Sequence, residues 1–341
     1  MAESAPAHET DSGDTRNGRA TDGDPDVTGQ SAVPVENGEQ ESVPPVSYRP
    51  SLPPQEKLPE GFGAAVATLE EHLGCPVWML VQSGQTRPLG MYPLLLETFM
   101  DARDELANCG HVALLLDSPG GLADVAYQLA RVLQRDGGFT VVIPRYAKSA
   151  ATLLSLGATR ALMGDDAEIG PLDAQLYDEE REESGSPLDE VEALDHLHSV
   201  ALQHLDRTMF TMLGGSKKRT DILLPIAAKF VSDMMAPMLE KIDAVHYAKQ
   251  ARVLAVAENY AVRLLYQAGA QPERAHKVAN TLVNDYPEHG FVIDRQEVEN
   301  REFLPLVPLT DELREPIKIL ERILRKQQFT ALGRLIEESH E

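Results

Sequence analysis

Between residues 62 and 164, short apolar runs alternate with amphipathic stretches, and this alternation limits the possible folds more than any other feature. The runs "PVWMLVQSG", "HVALLLDSPGG", "FTVVIPRY" and "TRALMGD" have the length and β-branched or leucine content of buried strands. The stretches "GAAVATLEEHL", "YPLLLETFMDARDE", "LADVAYQLARVLQRDG" and "SAATLLSLGA" place apolar residues at helical spacing. Such alternation predicts βα units and a largely parallel sheet covered on both faces. Sites in sheets of this kind form beyond the carboxyl ends of the strands. Both "DSPGG" and "AKSAA" fall at such ends.

The flanking regions differ in character. Residues 1–57 are rich in Gly, Pro, Ser, Asp and Glu, with Tyr48 their only aromatic, and read as a disordered acidic tail with a Pro-rich linker. A second acidic run, "YDEEREESGSPLDE" at 177–190, reads as a surface loop. Helical patterns follow at about 192–213, 220–240 and 243–268. The segment 301–341 reads as a terminal helical element, with Ile317, Leu320, Ile323 and Leu324 on one face as core or oligomer contact. Residues 58–300 then form the main domain.

With 54 acidic against 31 basic residues, the net charge of −23 disfavours nucleic acid and anionic lipid as partners. Cys75 and Cys109, the only cysteines, lack metal-ligand or redox-motif spacing, so neither disulfide nor zinc is expected. No secretory signal and no run of ~18 consecutive apolar residues is found, which predicts a cytoplasmic protein without a transmembrane segment.

The chemistry concentrates at two corners. In "DSPGGLADV", Pro119 fixes a turn, Gly120 and Gly121 allow close approach of backbone to a ligand, and a helix N-terminus follows. In "RYAKSAATLL", Ser149 stands where a strand gives way to a helix. A serine there can expose its hydroxyl as a nucleophile, with the first helical N–H groups facing an oxyanion. It can equally serve as a helix N-cap. The two corners lie one βα unit apart, so one could supply oxyanion donors and the other the nucleophile.

The pair "LLLDSPGG" and "VVIPRYAKSAATLLSLGATRALMGDDAEIGPLDAQL" resembles the Clp protease and crotonase-like superfamily, to which the signal peptide peptidases are related. Within it, the chain is most similar to the serine dehydrogenase proteinase family, and the likeness extends to "PMLEKID" and "YPEHGFVID". The resemblance implies an α/β fold with a repeated βα spiral core and a helical C-terminal region. It also implies a serine peptidase forming an acyl-enzyme on Ser149, with oxyanion donors among Gly120, Gly121 and Ala150. A triad in the order Ser, Asp, His maps onto Ser149, Asp173 in "GPLDAQ" and His289 in "YPEHGFVID". Peptide or protein substrates and a homo-oligomer are further implications, and no cofactor is required.

The proton acceptor remains open at this point. The position of the Clp histidine falls in the stretch holding Asp173 and Gln175, so the triad is absent in its usual Clp order. His196, His198, His204 and His246 also lie downstream of the serine. A Ser-Lys dyad, as in signal peptide peptidases, would need a lysine where residues 178–216 have none, leaving Lys241 as the alternative base over Lys217 and Lys218. Lys148 directly precedes the serine, so its side chain is expected to point to solvent or to a backbone contact. Two other functions share the fold: a catalytically inactive scaffold or binding protein, and an acyl-CoA enzyme that would stabilise a thioester enolate with the same N–H groups.

Overall fold

In the computed structural model, the described residues are 47–83, 90–172, 176–178, 183–185, 187–216 and 218–337. The elements run β1 (Tyr48–Leu52), α1 (Phe62–Leu73), β2 (Val77–Gln82), α2 (Pro93–Asp101), α3 (Arg103–Cys109), β3 (Val112–Asp117), α4 (Ala123–Gln134) and β4 (Phe139–Ile143). Next come β5 (Tyr146–Ala147), α5 (Ala150–Ser155), β6 (Arg160–Met163), β7 (Glu168–Ile169), β8 (Leu176–Asp178), β9 (Glu183–Gly185) and α6 (Pro187–Gly215). The chain continues through α7 (Thr220–Leu239), α8 (Ala244–Gln267), α9 (Pro272–Asn284), β10 (Ile293–Asp294), α10 (Arg295–Asn300), α11 (Asp311–Lys326) and β11 (Thr330–Glu337).

The main sheet has six strands in the order β1-β11-β2-β3-β4-β6. From β2 to β6 all pairs are parallel, whereas β11 is antiparallel to both β1 and β2. Alternate side chains of the parallel strands enter two cores, as pleat geometry requires. Trp78, Leu80, Leu114, Leu116, Val141 and Ile143 pack with residues of α2, α4 and α5. Val77, Met79, Val81, Ala113, Leu115 and Val142 pack with residues of α1 and α11. A small second sheet, β10-β7-β5, lies beyond the carboxyl end of β4.

The expected parallel βα core is present, but both ends of the folded unit differ from the sequence reading. The tail was expected to run to residue 57, yet Tyr48–Leu52 is a strand of the main sheet; residues 1–46 lie outside the described residues. The terminal segment is helical only as far as Lys326. Beyond it, "TALGRLIE" forms β11, hydrogen-bonded on both sides, because the buried edge of β2 offers partners that a continued helix would leave unmet. Ile317, Leu320 and Leu324 of the apolar stripe are buried in the core with α1 rather than presented to a partner.

In the helical half, α7 packs along α6, and α8 packs on α4 and α5. By length and composition alone, α7 is apolar enough to cross a membrane, although Asp221, Lys229 and Asp233 interrupt it. Ile222, Leu224, Ile226 and Phe230 of α7 and Phe210 of α6 are exposed. Leu320 is fully buried between α11 and α1. Leu320→Ala should destabilise the protein by about 2–5 kcal/mol in a urea unfolding series, without changing the slope of the transition.

Candidate active site

The two corners are joined by backbone hydrogen bonds. Ser118 N–H donates to the Tyr146 carbonyl (3.3 Å), and Lys148 N–H donates to the Ser118 carbonyl (3.0 Å). The Ser118 hydroxyl donates to Gln82 Oε1 (2.7 Å) and accepts from Gly120 N–H (3.2 Å). Gln82 Nε2 in turn donates to the Gly90 carbonyl (2.7 Å). Ser118 and Gln82 are both buried, so this network is shielded from water.

Below the corners, Asp117 at the end of β3 meets Arg145 just beyond β4. The guanidinium donates from Nε to Asp117 Oδ1 (2.9 Å) and from Nη2 to Oδ2 (2.6 Å). It also donates to the Leu324 carbonyl (2.8 Å) and lies over the Tyr146 ring. Burial pushes the Asp117 carboxyl above its ordinary range, while the hydrogen bonds and charge of Arg145 pull it down.

Ser149 has φ 51° and ψ −120°, a conformation that non-glycine residues rarely adopt and that costs ~1–3 kcal/mol. It occupies the N-cap position of α5, yet its side chain makes no capping hydrogen bond. The residue therefore takes a strained conformation that a cap does not need. A sharp strand-to-helix turn of this kind holds a serine hydroxyl clear of the backbone. Around it, Ala151 N–H is taken by the Lys148 carbonyl (2.9 Å) and Leu122 N–H by the Met91 carbonyl (2.9 Å). By contrast, the N–H groups of Gly121 and Ala150 have no hydrogen-bond partner among the described residues.

Gly120 differs from the other two expected donors, since its N–H is bound to Ser118. Its φ is +103°, and a Cβ there would lie 2.5 Å from the Lys148 carbonyl and 2.8 Å from Ser149 Cβ. Only a glycine lets the first corner approach the second this closely.

The segment bearing His289 arrives through the small sheet. β10 pairs with β7, which pairs with β5 directly before Lys148 and Ser149. Lys148 Nζ donates to the Phe291 carbonyl (3.4 Å), two residues beyond His289. His289 is half-buried. Asp173 and Gln175 lie outside the described residues, although Leu172 N–H donates to the Leu282 carbonyl (2.8 Å) at the end of α9, which leads into the His289 segment. Lys241 is exposed in the turn after α7, a helix that packs against α6. His196, His198 and His204 lie on α6; His246, on α8, hydrogen-bonds Gln250. Lys217 lies outside the described residues.

Sequence reasoning did not find Thr152, which is buried with its hydroxyl 2.7 Å from the Ala147 carbonyl and 2.9 Å from the Gly170 carbonyl, while accepting from Gly170 N–H (3.1 Å). It bolts the first turn of α5 to the strand on either side. A threonine in the first turn after the serine was its only signal.

Fold and corners together define an α/β protein with a largely parallel sheet and two adjoining strand-to-helix corners at its carboxyl edge. Residues 102–190 match the family described as ClpP-like SDH-type serine proteinase. Two uncharacterized proteins of Methanocaldococcus jannaschii are 39% and 38% identical over 66 residues, which is 19% of this chain and 23% of each of theirs. The chain thus spans under a quarter of the length of these curated relatives. Among solved structures, a mutant of the 1510-N membrane-bound stomatin-specific protease is 12% identical, covering 71% of this chain and 84% of that one, with a TM-score of 0.41. ClpP1 from Listeria monocytogenes, also as a mutant, is 13% identical over 72% of this chain and 99% of that one, with a TM-score of 0.34.

Arg145→Met would leave the Asp117 carboxyl buried without its partner, and should cost about 3–5 kcal/mol at neutral pH. With the carboxyl's pKa raised further in the folded variant, the folded state binds more protons than the unfolded one. The deficit against wild type should therefore grow as pH rises from 5 to 8 in chemical denaturation, and shrink in acid.

Proposed function

We propose that this chain is a serine peptidase, cleaving peptide bonds through an acyl-enzyme on Ser149. One observation carries the reading: Ser149 is strained at a βα corner, its hydroxyl does not cap the helix, and the N–H groups of Gly121 and Ala150 have no partner among the described residues. Ser149 Oγ attacks the scissile carbonyl while His289 takes its proton, and Asp173 orients the imidazole. The Gly121 and Ala150 N–H groups receive the charge that develops on the carbonyl oxygen. Collapse breaks the C–N bond, the proton passes from His289 to the leaving amine, and water then releases the acyl group by the same steps in reverse order.

His289 is preferred to Lys241 as base because its segment is tied to Lys148, the residue beside the serine. In this reading the protein acts in the cytoplasm as a homo-oligomer. The exposed apolar side chains of α6 and α7 support assembly, since monomers seldom leave a large apolar patch uncovered. Light scattering should give a mass above that of one chain.

A fluorophosphonate probe tests the chemistry directly, because the serine oxygen displaces fluoride from phosphorus. Wild-type protein should label and Ser149→Ala should not, with both folded by circular dichroism. Labelling that survives the substitution would remove Ser149 as nucleophile. Absence of labelling in folded wild type would favour the inactive scaffold, and retention on immobilised coenzyme A would favour the acyl-CoA enzyme.

A further inference from the structure

We infer that Lys148 is a positioning residue, whose ammonium group holds the histidine-bearing segment against the nucleophile corner. This inference rests on the reading of Ser149 and His289 as nucleophile and base. Lys148 is joined to Ser149 by a peptide bond, yet its side chain runs away from the serine and crosses Gly170. A Cβ on Gly170 would lie 2.8 Å from Lys148 Cδ, so the glycine is what leaves room for the stem. At its far end, Nζ is 2.9 Å from Glu168 Oε1 and donates to the carbonyls of Ile169 (3.2 Å) and Phe291 (3.4 Å). An ammonium group has three N–H donors, and these three acceptors account for all of them.

The three partners lie on different pieces of chain. Glu168 and Ile169 form β7, while Phe291 belongs to the segment that follows His289. One side chain thus links the residue beside the nucleophile to the strand next to it and to the segment of the base. With Nζ committed to these partners and its stem running along Gly170, Lys148 is not placed to take a proton from Ser149. Its contribution is geometric, and displacing a reacting group by about 1 Å can cost ~100-fold in rate.

Other contacts keep the segment folded without Lys148. The Tyr286 hydroxyl donates to Glu297 Oε1 (2.8 Å), the Tyr286 and Phe291 rings are 5.1 Å apart, and β10 stays paired with β7. Losing the lysine should therefore loosen the segment rather than unfold the domain.

The test compares fluorophosphonate labelling rates of wild type, Lys148→Met, His289→Ala and the double variant, with amide hydrogen exchange across residues 289–293. Lys148→Met should label ~10- to 100-fold more slowly. The double variant should be no slower than His289→Ala alone, because a tether has nothing to position once the imidazole is gone. Exchange at 289–293 should quicken in Lys148→Met while the rest of the sheet keeps its protection. Glu168→Gln, which weakens the anchor and leaves the lysine, should shift both readouts in the same direction by less, and serves if Lys148→Met does not fold.

Wild-type labelling and exchange rates in these variants would overturn the inference. So would a double variant slowed by the product of the two single effects, since Lys148 would then act independently of His289. If Ser149→Ala still labels, or His289→Ala labels as wild type does, the serine peptidase reading or its base fails. In that case the exchange measurement still decides whether Lys148 holds the segment.

Discussion

The bidentate pair between Asp117 and Arg145 ties the carboxyl end of β3 to the chain just beyond β4, and both corners are built on those two ends. Placing a carboxylate in a fully buried position is costly, and the planar guanidinium offsets that cost only in a narrow geometry. The corners inherit this geometry. Ser118, next to Asp117, bonds to the backbone of Tyr146 and Lys148 on either side of Ala147, and Gly120 then lies against Lys148 and Ser149. Arg145 also reaches the Leu324 carbonyl in α11, so the C-terminal helix is fixed to the same point.

Strain at Ser149 is sustained because its surroundings leave no alternative. The Thr152 hydroxyl holds the start of α5 to Ala147 and Gly170, Ala151 N–H holds the Lys148 carbonyl, and Gly120 closes the other side. An unstrained serine would have to move one of these buried groups away from its partner. The energy of a few hydrogen bonds is thereby stored as the strained conformation of Ser149.

Much of this was legible in the sequence, for reasons tied to particular residues. The parallel core could be read because strands such as "VALLLD" are buried on both faces and separated by helices with clear periodicity. The corners could be read because Pro119, Gly120 and Gly121 leave few backbone options. The strands β1 and β11 were missed: "YRPSL" looks like a Pro-rich linker and "TALGRLIE" continues a helical stretch, and only pairing with distant partners makes them strands. The positive φ of Ser149 had no local signal, since it is imposed by neighbours brought in from Gly120 and Gly170. The Lys148 side chain was expected to reach solvent or a backbone contact, and its ion pair with Glu168 had no signal in the sequence.

The insertion of β11 between β1 and β2 bears on the order in which the chain can fold. Ser83, at the end of β2, bonds to Phe329, 246 residues further along the sequence, and β1 has no sheet partner among the described residues other than β11. On a ribosome, the open edge of β2 would wait, exposed, through the synthesis of the entire helical half. Both corners would already have been made by then, on a sheet still lacking a third of its strands. Completion of the fold, and of any activity it supports, is thereby deferred until the last strand has been added.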